Sequence, residues 1–484
     1  MRYRSPMFTG IRSLQIRYWR KRRFQMKKVA IFLFISVPVL VLAFFGAVDP
    51  PKVAAVPSYA RQTGLACSGC HYNPPELNPA GRRFKLTGYV DRADETKVVK
   101  SEGNKKNSAL DLLSSLPLSV MLETSFTSTK SPIPTTQNGN FELPQDFSLF
   151  LSGAWTSHIG SFFQVTYDTQ DDHFTSDNTD IRYANTTKLG GKEFIYGIDL
   201  NNNPTVEDLW NSTPAWGFPW VVSDFAPTPN ASPLIQGGLA QDVAGLGAFA
   251  MWNNHLYIDA TMYRSQHVGG PQPNPGVGSG INIRGVAPYW RVAWQQLTAK
   301  TQYEIGTYGM HVRSTPNQIV NANGVAGPED SYTDFAFDTQ IDQTLFRKDV
   351  LSFRATYIRE NADLLASVAQ GALTFGSHHL NTVLANASYH FGNKYSGTFG
   401  WFDTGGTVDP NLYGGTDPVT GSANGDPRGA GYIANFSYWP WQNLVLGAQY
   451  TGYTRFNGGS TNYSGSGRNA SANNTVYLNA RFLF

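Results

Sequence analysis

From about Leu113 onward, apolar residues recur at every second position in runs of about ten. Val476, Leu478, Ala480, Phe482 and Phe484 alternate with Tyr477, Asn479 and Arg481. Phe194, Tyr196, Ile198 and Leu200 alternate with Glu193, Gly197, Asp199 and Asn201, and Leu118 to Phe126 oppose Ser119 to Thr127 in the same way. A period of two sends the sets to opposite faces of a strand, and about ten tilted residues cross a bilayer. Sixteen such runs centre near Leu122, Phe150, Val165, Tyr183, Ile198, Gly247, Ile258, Pro288, Glu304, Phe337, Ala355, Leu384, Gly397, Ala434, Leu446 and Leu478. Pro288 makes the eighth the weakest, since proline cannot donate to a ladder. Short connections near Ser157, Gly190, Asn254, Gln296, Lys348, Lys394 and Trp441 alternate with long ones over roughly 129–140, 168–177, 203–238, 266–281, 311–331, 362–375, 404–428 and 456–471. The pattern predicts an all-β chain: a transmembrane outer-membrane β-barrel of about 16 antiparallel strands over 113–484, with tight periplasmic turns and both termini periplasmic. The alternative is a soluble all-β repeat protein. Residues 203–238 carry Trp210, Trp216, Phe218, Trp220 and Phe225, and this loop either folds inward as a constriction or packs at the rim.

The amino end has a different character. Met1 to Lys28 hold ten bases and no acid, and Val29 to Val48 run without a charge. A basic stretch followed by an apolar one reads as an export signal over 1–55, with Met26 as a second candidate start. An uncleaved anchor helix is the alternative. Those 55 residues contain eleven of the 38 bases and one of the 35 acids, so the rest of the chain has 27 bases against 34 acids, a net of −7. The pI of 8.6 therefore belongs largely to the signal. An acidic mature chain favours cations over nucleic acid as partners. Only 15 % of residues are charged and mean hydropathy is −0.30, with 47 Gly and 30 Phe. That suits a barrel with one face in lipid better than a cytosolic enzyme.

Both cysteines lie in Cys67-Ser68-Gly69-Cys70-His71, the C-x-x-C-H pattern of covalent c-type haem attachment. Two thiols reach the vinyl groups of one macrocycle while the adjacent histidine ligates its iron. A redox dithiol leaves His71 unexplained, and a zinc site lacks further ligands, since residues 72–120 hold neither Cys nor His. The same stretch lacks Met, so a sixth iron ligand comes from elsewhere, is unusual, or is missing. Asn78 followed by Pro79 reads as a helix start, with a helical turn or two over Ala80 to Leu86. Residues 97–106 read as a linker.

The stretch Val56 to Gly64, the motif Cys67 to His71, Pro75-Glu76-Leu77 and Gly81 to Tyr89 resemble the fused monohaem cytochrome–porins of the bacterial outer membrane, whose best-known members oxidise ferrous iron. The likeness is specific over 56–89 and architectural over the barrel. Pro79-Ala80-Gly81 departs from the Pro-Phe that relatives often carry. The resemblance implies a small, mostly helical cytochrome segment and linker over 56–112 acting as a plug. It also implies one haem c on Cys67 and Cys70 with His71 as axial ligand, and an iron:cytochrome c oxidoreductase-type activity. In that activity extracellular Fe(II) is the donor and a periplasmic cytochrome c or blue-copper protein the acceptor. Two other uses fit the same parts: a porin with a redox-sensing haem plug, and outward electron transfer to extracellular acceptors.

Strand parity narrows the sixth ligand. Met121 shares the polar face of Ser119 and Glu123, His390 that of Asn386 and Ser388, and His255, a weaker candidate, that of Tyr257 and Asp259. Met262 has apolar parity and reads as lipid-facing. A Met ligand raises the potential relative to a second His. Arg61, Arg82 and Arg83 are candidate propionate partners. Glu123, Asp199, Asp259 and Glu304 are oxygen donors suited to attracting Fe(II), without marking a specific iron site.

Overall fold

A computed structural model describes residues 57–90, 98–99, 112–113, 117–170, 172–266, 281–315, 327–346 and 349–484. The expected signal segment, most of the linker and the turn at Lys348 lie outside the described residues, as do the centres of the 266–281 and 311–331 loops. Sixteen strands make the wall. They are β1 Leu118–Thr129, β2 Asn140–Leu151, β3 Ile159–Asp168, β4 His173–Leu189, β5 Lys192–Asn201, β6 Val243–Trp252, β7 Leu256–Ser265 and β8 Ala287–Leu297. They continue as β9 Thr301–Ser314, β10 Asp330–Thr344, β11 Val350–Leu364, β12 Ser377–Phe391, β13 Tyr395–Gly406, β14 Gly429–Trp441, β15 Leu444–Arg455 and β16 Thr475–Leu483. Gly153–Ala154 prolongs β2 along β3. Each strand pairs antiparallel with its sequence neighbours, and β16 pairs with β1, from Thr475 opposite Thr129 to Leu483 opposite Met121, closing the cylinder.

All sixteen expected centres fall within strands. Pro288 is tolerated because it is the second residue of β8, at the strand's edge of pairing. Two connections differ from expectation. The turn expected near Gln296 falls after Leu297, where Thr298 N–H donates to Thr301 O at 2.9 Å. The connection expected over 168–177 shrinks to 169–172, because β4 is 17 residues long and starts at His173. The β4–β5 hairpin turns on Gly190 and Gly191, both at positive φ (63° and 77°), as a two-residue turn between twisted strands requires.

The barrel is inside-out relative to a water-soluble fold. In β5, Ile198 is 52 % exposed while its neighbour Asp199 is 1 % exposed. Leu246, Met262, Ile305, Phe337 and Phe399 also face outward. A soluble protein would hold this continuous apolar belt against water; a bilayer accepts it, and this is the architecture of outer-membrane barrels.

The lumen is filled by chain. The helices α1 (Ser58–Thr63) and α2 (Pro79–Leu86) flank a single turn at Cys67–Gly69 and a hairpin pairing His71–Asn73 with Glu76–Leu77. Asn78 caps α2 as its sequence suggests, accepting from Ala80 N–H and Gly81 N–H at 3.0 and 3.1 Å; α1 was not expected. This segment bonds to inward-facing barrel groups. Ser58 N–H donates to Ser119 Oγ (2.6 Å), Tyr59 Oη to Ser161 O (2.6 Å), and Tyr89 Oη to Asp180 Oδ2 (2.6 Å). The loop between β5 and β6 folds inward rather than packing at the rim. Trp210 is wholly buried, its Nε1 donating to Gln295 Oε1 at 3.1 Å. Asp208 pairs with Arg291 at 3.1 Å, and Arg291 also holds Asp338 and Glu304. Loop and segment meet where Lys85 Nζ donates to Val206 O (2.6 Å) and Asp208 O (2.7 Å), and where Asn211 Nδ2 donates to Pro75 O.

Candidate cofactor-binding site

The Cys-x-x-Cys-His turn is held from below by α2. Asn78 Nδ2 donates to Gly69 O at 3.0 Å, Asn78 N–H donates to Cys70 O at 2.9 Å, and Cys70 N–H donates to Cys67 O at 3.1 Å. Gly81 is the contact point. A Cβ there would fall 2.3 Å from Cys70 O, so only glycine lets the helix lie this close to the motif. The two cysteines form no disulfide. Cys67 Sγ donates to Gln442 O at 3.2 Å, and burial pushes its thiol up, keeping it protonated. His71 Nδ1 is enclosed without a hydrogen-bond partner. Burial pushes this imidazole down to about 4, against the opposing pull of Glu76, so it stays neutral and able to ligate.

A cavity of about 540 Å³ opens beside the motif, within the range of cofactor pockets. Cys67, Cys70 and His71 border it together with Met121, and Phe150, Phe162, Trp216 and Trp220 give it aromatic walls. Two thiols not joined in a disulfide, a neutral histidine beside them and a largely aromatic-walled chamber fit a covalent tetrapyrrole.

Met121 is thus the one sixth-ligand candidate on this cavity. His390 is elsewhere: its Nε2 lies 3.3 Å from Glu76, its Nδ1 lies 3.0 Å from Ser396 Oγ, and its ring stacks on Tyr72 at 5.3 Å. His255 bonds Gln295 O at 2.9 Å and stacks on Trp294. The three arginines also point away from the cavity. Arg61 donates to Leu118 O, Arg82 pairs with Asp342 while its Nε donates to Leu77 O, and Arg83 forks onto Glu193 at 2.7 and 3.0 Å. Lys85 and Arg481 are the bases that border the cavity instead. Arg481 was visible as a polar position of β16, but nothing local tied it to a site 410 residues upstream.

Among the acidic candidates, Glu123 borders the cavity and is held by Tyr477 Oη (2.8 Å) and Asn479 Nδ2 (3.0 Å). Asp199 and Asp259 are buried in the lumen and Glu304 is bonded to Arg291. Asp146, Asp168 and Asp224 bring carboxylate oxygens within 4.8 Å of one another, a donor set that suits a hard cation. Sequence reasoning missed it, because Asp224 belongs to the infolded loop.

Buried charge pairs clamp the segment to the wall. Glu76, wholly buried, lies 2.7 Å from Arg354 Nη2 on β11, and the Arg82–Asp342 pair sits next to it on β10. Burial raises the Glu76 carboxyl, but Arg354, His390 and Arg82 outweigh it and hold the group below its ordinary range.

No family model matches the chain, and no curated protein does. Solved structures resemble it at low identity. The anion-selective porin from Comamonas acidovorans is 10 % identical over 76 % of this chain and 98 % of its own (TM-score 0.43). The outer-membrane channel DcaP of Acinetobacter baumannii is 10 % identical over 76 % and 96 % (TM-score 0.41). A loop-deletion mutant of OmpT from Vibrio cholerae is 12 % identical over 76 % and 98 % (TM-score 0.41). The porin-like description rests on the closed strand pairing itself.

Proposed function

We propose that the chain is an outer-membrane electron-transfer protein that takes electrons from extracellular Fe(II) and delivers them to a periplasmic carrier. The observation that carries the reading is the Cys67–Cys70–His71 turn facing an aromatic-walled cavity inside a lipid-embedded barrel. Cys67 and Cys70 would hold a haem c covalently, His71 would ligate its iron, and Met121, which borders the same cavity, would be the sixth ligand. Such a group supplies a one-electron carrier. The chain's own residues provide the rest: the Glu76 and Arg82 pairs fix the segment in the lumen, and the aromatic walls exclude water. The carboxylates of Asp146, Asp168 and Asp224 favour cations near the cavity. The turn end, where Gln442 borders the cavity, would face the periplasm and the acceptor. Keeping Fe(III) outside the cell would spare the periplasm its precipitation.

A second reading is a porin whose haem-bearing segment senses redox state, and the closed 16-stranded wall favours it. Outward transfer to extracellular acceptors is a third. Purified, matured protein should show the reduced c-type spectrum on addition of Fe(II); a haem that stays ferric under donor excess overturns the first reading. A strongly positive midpoint potential fits iron oxidation, and a strongly negative one fits outward flow. Conductance that follows the applied potential without donor turnover would establish the sensing porin.

A further inference from the structure

The infolded loop divides the lumen along its axis. The cavity beside Cys67 reaches the turn end, where Gln442 and Leu483 border it. A second cavity, of about 270 Å³, lies toward the other end, bordered by Thr404, Gly429, Tyr453 and Thr475 at the loop ends of β13 to β16. Pro219 and Val222 border both cavities, so a single thickness of chain separates them there.

This stretch is fastened to two parts of the wall. Gln145 Nε2 on β2 donates to Val222 O at 3.0 Å, and Ser223 Oγ lies 2.5 Å from Thr127 Oγ1 on β1. On β13 the inward position facing Phe218 is Gly400, where a Cβ would fall 2.6 Å from the Phe218 ring. Trp220, on the first cavity, meets Phe218, on the second, edge to face with centroids 5.0 Å apart. Among the described residues, the second cavity is bordered by no Asp, Glu, Lys, Arg or His. An ion entering it sheds hydration without gaining a countercharge, which is costly.

We propose that residues Gly217–Ser223 form a septum that seals the barrel against ions and small solutes, with Gly400 as the seat of Phe218. The seal is made by protein alone, so it holds whether or not a haem is bound, and the chain is a closed conduit rather than an open pore.

Planar-bilayer recordings on the full chain and on its Cys67→Ser/Cys70→Ser form test this. Both should stay at baseline. Adding Phe218→Gly and Trp220→Gly, or separately Gly400→Leu, to the cysteine-free form should produce a stepwise conductance above that baseline, smaller than that of an empty 16-stranded barrel because the 57–90 segment still occupies the lumen, whereas Trp220→Phe should stay closed. An open-pore conductance of the Cys67→Ser/Cys70→Ser form overturns the septum, since closure would then belong to the haem. Baseline conductance of both opening variants, with inserted barrels confirmed by their heat-shifted gel mobility, overturns it as well. Electron acceptance from Fe(II) is read by absorbance on the unmodified protein, so that reading and this one fail independently.

Discussion

Arg354→Met removes the only guanidinium within 3 Å of the Glu76 carboxylate among the described residues and leaves that carboxylate at 0 % exposure on the lumenal side of β11. Deleting one partner of a buried pair typically costs about 3–5 kcal/mol, because the remaining charge is stranded in a low dielectric. Here His390, 3.3 Å away, supplies partial compensation, so the expected cost is the lower figure, about 3 kcal/mol. The loss falls on docking of the segment rather than on the barrel, whose ladder does not involve either side chain. At about 1.4 kcal/mol per tenfold, the undocked fraction rises roughly a hundredfold. Hydrogen exchange reads this directly. Amides of α2, such as Arg82 bonded to Asn78 O at 2.9 Å, should exchange about a hundredfold faster, while those of β9 to β12 are unchanged. Glu76→Gln in the same protein should restore most of the protection, since no charge is then stranded. Unchanged exchange in Arg354→Met, or a double variant worse than the sum of the singles, refutes the argument.

Other expectations rest on the same geometry. Gly81→Ala should displace the Cys70 carbonyl, 2.3 Å from the new Cβ, and lower the c-type absorbance per mole of protein while leaving barrel insertion intact. If Met121 ligates the haem, Met121→His should lower the midpoint potential without changing haem content, whereas His390→Ala should leave the potential in place. Burial, helped by Asp199, pushes the Glu207 carboxyl from 4.5 up to about 7. The folded form therefore holds that proton more tightly, and the associated stability is full below 4.5 and lost as pH rises toward 7. Exchange of the Asp208 amide, corrected for its intrinsic rate, should accelerate across that window, and Glu207→Gln should flatten the dependence.

The barrel was legible because period-two alternation records which face each residue takes, and lipid on one side and a polar lumen on the other make the two faces chemically distinct. Even Pro288 obeys the rule once its place near the strand start is seen. The Cys67–His71 motif stands out for another reason: a haem c would need two thioethers and one axial nitrogen to reach a single ring from one turn of chain, so the pattern that suggests it is local. Asn78 and Pro79 were readable as a helix start on the same local grounds.

Parity, however, does not say what a lumenal residue meets. Met121 and His390 both lie near the turn ends of inward faces, and only the docked segment separates them. Glu76 takes His390 for its own charge, whereas the wall at Met121 is left facing the cavity. Arg82 and Arg83 show the same limit within a helix. Adjacent residues on a helix point about 100° apart, as 3.6 residues per turn requires, which sends Arg82 to Asp342 and Arg83 to Glu193, partners 260 and 110 residues away. The aromatic loop was conspicuous by composition, yet its direction is set by Asp208 and Trp210 finding Arg291 and Gln295 across the lumen. In a filled barrel, face is encoded by neighbours in sequence and occupancy by neighbours in space. That is why the Cys67–His71 motif stands out from the residues alone and the wall opposite it does not.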